Sequence, residues 1–190
     1  IGVKPLIYRA GRYGLGPHTA ALLKEMGMAI DSSIRARFDY SAAGGRNYRD
    51  HPVKPYWVDR ERTLLELPLT TVFAGPLRRW GDWLYPLMWR VPSLRGLLAH
   101  IGILDRIPLT PEGVTAAEAI KGIDAALEDG LPLLVLSFHS PSLHPGHTPY
   151  VRDENDLDRL YDWWREVLTH LERRGVKPTS VAEIMNAVER

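Results

Sequence analysis

The chain has 190 residues, 45% of them apolar and 25% charged, with a formal net charge of +1, which suits one domain with a substantial core. That balance argues against nucleic acid as the main partner, because phosphate binding needs a concentrated basic surface. Cysteine is absent, which removes disulfides and thiolate chemistry, and the longest apolar stretch, Leu131 to Phe138, is too short to span a bilayer.

No signal-peptide or lipidation pattern is read from the sequence. The first residue is Ile1 and a predicted strand follows almost at once, so the sequence reads as an excerpt of a longer protein. Strands and helices then alternate, the pattern of a mainly parallel sheet or barrel. A first strand is predicted over Pro5–Arg9. A short helix follows from Pro17, where the ring suits the first turn, to about Met26, with Gly27 as the stop. The next strand, Met28 to Ser33, ends in polar residues. Residues 35–62, rich in Gly, Pro, Arg and Tyr, read as a long loop at one end of the strands, and a further strand is predicted over Leu64–Val72.

Residues 75–108 hold Trp80, Trp83, Tyr85 and Trp89, interrupted by Pro86 and Pro92. This is the pattern of broken helices that either pack over the domain or line a binding cleft. Only four basic residues flank it (Arg78, Arg79, Arg90, Arg95), which makes a membrane-surface role the weaker reading. Thr115 and Glu118 have capping-box spacing, as do Ser180 and Glu183. Leu133–Phe138 is the clearest predicted strand, apolar on both faces as a strand covered on both sides would be. Asp153 is the predicted cap of the longest helix, which runs to Arg174 and stops at Gly175. Along it Leu157, Leu160, Tyr161, Trp164, Val167, Leu168 and Leu171 recur at spacings of three and four, predicting one apolar face buried against the sheet. No repeat, low-complexity tract or linker divides the chain, so residues 1–190 read as a single domain.

Three strand ends are polar, and in parallel α/β architectures functional groups gather where strands end and loops begin. They are Tyr8-Arg9-Ala10-Gly11-Arg12-Tyr13-Gly14, Asp31-Ser32-Ser33, and Ser137-Phe138-His139-Ser140-Pro141-Ser142. Arg, Asp and His converging at one mouth would suit acid–base chemistry on a polar substrate. Each also has a structural reading: Arg9 as a loop-clamping cation, Asp31 as the cap of the following turn, His139 as a satisfied structural group. His139, His144 and His147 lie within nine residues, but their spacing fits no common zinc pattern. Pro141, Pro145 and Gly146 suggest a rigid loop instead, with His144 and His147 as hydrogen-bonding groups. No G-x-S-x-G elbow occurs, and Ser32 and Ser33 have no local base, so a serine hydrolase is unattractive.

At these residues the sequence resembles the polysaccharide deacetylases, the NodB-homology family of carbohydrate esterases. Tyr8–Gly14 resembles the aromatic-Arg motif, without the prolines of the usual R-P-P-x-G, and Asp31-Ser32-Ser33 resembles the D-x-S motif. Leu64-Leu65-Glu66-Leu67-Pro68 resembles the E-[IL]-P strand, and Ser137 to Leu143 the final histidine motif. Pro145-Gly146-His147-Thr148-Pro149-Tyr150 is similar to an uncommon WalW-like branch of bacterial proteins. The first two family motifs, a T-F-D-D-type strand end and an H-x-x-x-H pair, do not occur.

The resemblance implies the C-terminal strands and helices of a distorted TIM-like barrel, a partial (β/α) deacetylase-type barrel lacking its N-terminal portion. It implies metal-dependent hydrolysis of an N-acyl group on a carbohydrate. His139 would be the acid, Arg9 would hold the missing aspartate and Asp31 would orient His139 through a hydrogen bond. Phe138 would help form the acyl pocket, with Tyr8, Trp80 and Trp83 toward substrate. A divalent, zinc-like metal is expected for the full-length family member, with no ligands from this chain. The alternative reading is a non-catalytic carbohydrate-binding or scaffold protein with a degenerate deacetylase fold. An incomplete barrel leaves strand edges open, so oligomers through those edges are expected, and the compartment, cytoplasm or periplasm of a bacterium, stays open.

Overall fold

The structure is a computed structural model that describes residues 2, 4–88, 91, 96–98 and 100–188. It is a mixed α/β fold with two small sheets and helices packed on them. Strands β1 (Ile7–Tyr8), β2 (Ile30–Asp31), β3 (Tyr56–Trp57) and β4 (Leu65–Glu66) form a four-stranded sheet in the order β1-β2-β4-β3. The pairs β1–β2 and β2–β4 are parallel, and β3 returns antiparallel to β4. Strands β5 (Thr71–Ala74) and β6 (Asp105–Pro108) form a separate antiparallel pair. Among the described residues these strands do not close into a barrel.

The single strand predicted over Leu64–Val72 is therefore two strands in two sheets. Pro68 separates them, because a residue without an N–H cannot donate to a continuous ladder. Strand β6 falls in a stretch read from sequence as irregular.

The predicted strand Leu133–Phe138 forms no regular ladder. It is nevertheless held at a junction: Thr70 N–H donates to Val135 O (3.1 Å), Val135 N–H donates to Thr70 Oγ1 (2.8 Å), and Ser137 N–H donates to Leu109 O (3.1 Å). Its side chains alternate. Leu134 and Leu136 pack on the cluster of Leu109, Ile123, Trp163 and Val167, while Leu133 and Val135 pack on Ile30, Leu65 and Leu67. The period-2 pattern is thus realised as an extended segment between two cores, with half-buried side chains rather than the full cover the sequence suggested.

Helix α1 (Thr19–Glu25) stops at Gly27, whose φ of 67° is the left-handed conformation that glycine adopts without a Cβ penalty. Helix α3 (Ala116–Glu128) begins with the predicted capping box: Glu118 N–H donates to Thr115 Oγ1 and Thr115 N–H to the Glu118 carboxylate. Helix α4 (Glu154–Arg173) is capped by Asp153, and Ser180 and Glu183 make the second box before helix α5 (Val181–Val188).

The buried face of α4 is Leu160, Trp163, Val167 and Leu171, packed on Ala119, Ile123 and Leu109. Tyr161 and Leu168, predicted to face the core, are exposed, and Trp163 takes the buried place. The swap has a cause: the Trp163 indole N–H donates to Val114 O at 3.0 Å, so its polar atom is satisfied inside.

The predicted loop over residues 35–62 carries β3 and is clamped by cation–aromatic contacts. The guanidinium groups of Arg35 and Arg106 lie 4.2 and 3.7 Å from the Phe38 ring centre, and that of Arg37 lies 4.4 Å from Phe73. Arg37 also forks onto Asp82 at 2.8 and 2.9 Å. In the tryptophan-rich segment, helix α2 (Gly81–Met88) lies against β5 so closely that a Cβ on Gly81 would stand 2.3 Å from the Phe73 ring. Trp89, Arg90, Pro92 and Arg95, which belong to the predicted broken helices, lie outside the described residues. No described helix is long and apolar enough to cross a membrane.

Candidate functional site

The polar strand ends fall into two separate clusters. The first lies at the ends of β1, β2 and β4. Asp31 and Glu66 are register partners on parallel strands, so both carboxylates leave the sheet on the same face. Asp31 is 4% exposed and Glu66 1%. Ser33 Oγ donates to the Asp31 carboxylate and accepts from Ala10 N–H at 2.8 Å, while Glu66 accepts from Ile34 N–H at 3.1 Å. Burial, reinforced by the Asp31 charge, pushes the Glu66 carboxyl up to about 8, and burial raises Asp31 as well. Arg9 clamps the end of β2, donating from Nε to Ser32 O (3.0 Å) and from a terminal nitrogen to Ser32 Oγ (3.1 Å). Tyr48, 1% exposed, donates to Tyr13 O, and Tyr56 is bonded to His51 Nδ1 at 3.0 Å. The cluster is closed: its acids are spent on the fold.

The second cluster lies where β6 runs into the turn Pro111–Val114 and where the extended segment ends at His139. Glu112, whose side chain is 6% exposed, is its centre. One carboxylate oxygen accepts from His139 N–H (2.9 Å) and Ser142 Oγ (2.7 Å), and the other is 2.6 Å from His139 Nδ1. Ser142 Oγ also meets Thr148 Oγ1 at 3.1 Å, tying in the next loop. The His139 ring is 52% exposed, and Nε2 has no protein partner among the described residues. A buried carboxylate on Nδ1 fixes the tautomer with Nδ1–H toward Glu112, which leaves the outward nitrogen to take or give a proton.

His139 therefore stands at a solvent-facing mouth as the sequence suggested, but its orienting carboxylate is Glu112, not Asp31. Asp31 points into the closed cluster with Ser33, because the register that pairs it with Glu66 fixes its direction. Arg9 takes the clamping role of its structural reading. Tyr8 packs with Leu23, Met28 and Leu64 against α1. Phe138 meets Trp164 edge-on at 5.5 Å, which engages its ring in packing. Trp80 and Trp83 are 58% and 67% exposed and join neither cluster.

The zinc-like metal implied by the resemblance finds no fitting donor set here: no three His, Asp or Glu among the described residues converge as metal ligands. His139 Nδ1 is engaged by Glu112, and the His144 and His147 rings meet each other edge-on at 4.6 Å.

Glu112 was missed from sequence, where Thr110-Pro111-Glu112-Gly113 reads as an ordinary turn. The available signal was a carboxylate just beyond a strand end, with a Pro and a Gly to fix its turn. Compared with known protein families, with curated proteins and with solved structures, this mixed α/β chain shows no match.

Proposed function

We propose that this chain supplies the proton-transfer side of a hydrolase that cleaves an N-acyl (acetamide) bond on a carbohydrate, with His139 as the acid and Glu112 as its positioning residue. The observation that carries the reading is the half-exposed imidazole held by a buried carboxylate at the end of an extended segment. In such a cleavage, water adds to the acyl carbon, the C–N bond breaks, and the amine leaves with a proton from His139 Nε2. The protein atoms then need only hold that nitrogen aimed outward, which the two contacts from Glu112 to His139 achieve. The parallel β1, β2 and β4 and the parallel bridge between Arg35 and Leu69 support the further reading of part of a deacetylase-type barrel. The metal and base that the resemblance implies are not fitted by these residues, so no step is drawn through them.

The test is acetate release from N-acetylated oligosaccharides by the 190-residue chain and by the product of the whole gene, each with added Zn²⁺. His139→Ala should lower kcat about 10²–10⁴-fold in whichever form is active. Glu112→Gln should lower kcat with KM unchanged and alter the imidazole ¹⁵N tautomer signature by NMR, which a purely structural role would not do. If neither form releases acetate, the alternative stands: a non-catalytic carbohydrate-binding or scaffold protein. The exposed Trp80 and Trp83 favour that second reading, since aromatic rings stack on sugar faces.

A further inference from the structure

A cleft of about 420 Å³ opens between the start of α3 and the outer side of α4, within the volume range of small-molecule sites. Pro111 and Val114, the neighbours that bracket the Glu112 turn, form one wall, and Tyr150 with Val151 forms another. Trp163 and Leu160 make the apolar floor, while Arg159, Asp162 and Glu166 reach in from α4. The cleft is joined to the His139 site by a continuous set of contacts: Glu112 holds Ser142, Ser142 meets Thr148, and Thr148 lies two residues before Tyr150. The Tyr150 ring edge in turn sits beside Gly113, where a Cβ would be 3.9 Å from Cε1.

The lining selects a ligand chemistry. Asp156 is neutralised by Arg152 and Arg159, and Asp162 by Arg165, so the cleft holds little uncompensated charge for an ionic ligand. What it presents is a half-exposed aromatic ring, an apolar floor, and planar carboxylate and guanidinium groups at the rim. That combination matches a neutral polyol ring, with an apolar C–H face to lie on Tyr150 and vicinal hydroxyls to pair with Glu166 and Asp162. We propose that this cleft is a carbohydrate subsite that holds the sugar unit next to the one at His139, with Tyr150 as its platform. The proposal rests on the hydrolytic reading for the identity of the neighbouring unit.

The experiment is an equilibrium titration of the full chain with triacetylchitotriose, followed by NMR and calorimetry, with the fully deacetylated trimer alongside. The expected result is binding of the acetylated trimer with shift changes at residues 150–166, and weaker binding of the cationic one. Tyr150→Ala should weaken it about fivefold or more and Tyr150→Phe should retain it. Glu166→Gln should weaken it about twofold to fivefold, and His139→Ala should leave it unchanged. Tyr150 is half exposed, so its truncation leaves the core intact, which circular dichroism checks. No binding up to about 10 mM, well beyond ordinary substrate affinities, or equal affinity in Tyr150→Ala and wild type, overturns the subsite. Binding that depends on Tyr150 without acetate release sinks the hydrolytic reading and leaves the subsite. Acetate release with binding indifferent to Tyr150 does the reverse.

Discussion

Two buried glutamates, Glu66 and Glu112, sit at strand ends of one chain and do opposite work. Glu66 lies beneath the loop that carries Tyr48 and Tyr56, next to a second acid, and its carboxyl is pushed up to about 8. Glu112 is nearly as hidden, yet three contacts from His139 and Ser142 converge on its carboxylate, and the imidazole it holds is half exposed. Burial alone therefore does not mark a functional acid. What separates the two is whether the buried group is coupled to an exposed, proton-carrying one.

The largest effect expected from breaking this comparison is on the Glu112 side. Glu112→Ala removes the acceptor for His139 N–H, His139 Nδ1–H and Ser142 Oγ together, and should cost about 2–4 kcal/mol in urea unfolding. Any catalytic activity should fall with it even where the protein remains folded. A cost near zero would mean that the Glu112 network is not formed in solution.

The Glu66 side should respond to pH instead. Its carboxyl is raised from 4.5 to about 8 on folding, so between those values the folded state keeps a proton that the unfolded state has released. Stability is then fullest below about 4.5 and falls as pH rises toward 8; Asp31, also raised, acts in the same direction. Glu66→Gln should flatten the profile between pH 5 and 8 and, at pH 8, stabilise the protein by about 1–3 kcal/mol. Thermal melts across that range decide it. A variant with the wild-type slope would show that Glu66 ionises freely and that the cluster is open.

Much of the fold could be read locally. The caps at Thr115 and Asp153 depend on residues three apart, and the stops at Gly27 and Gly175 on a single backbone conformation, so spacing was enough. What failed depended on partners far along the chain. The break at Pro68 was visible as a proline, but its consequence, two strands in two sheets, needed β6, and Asp105–Pro108 carries no strand-like alternation. Whether Trp163 or Trp164 faces inward was decided by the Val114 carbonyl, 49 residues away. His139 was legible at a polar strand end, whereas its tie to Glu112 spans 27 residues and no local pattern announces it.

The smallest effects test whether the two clusters differ in tightness as well as in role. Ser33 and Thr148 are comparable second contacts. Ser33 Oγ bonds Asp31 and Ala10 N–H inside the closed cluster, while Thr148 Oγ1 bonds Ser142 and accepts from Val151 N–H at the rim of the open one. Ser33→Ala strands a buried N–H and a buried carboxyl with no water to replace the hydroxyl, so about 1–3 kcal/mol is expected. Thr148→Val should cost only about 0.5–1 kcal/mol, because Ser142 keeps its bond to Glu112 and solvent can reach the Val151 N–H. Parallel urea titrations of the two variants measure the gap directly. Equal costs would erase the distinction between a sealed cluster and one open to solvent, and with it the argument that His139 is presented to a substrate.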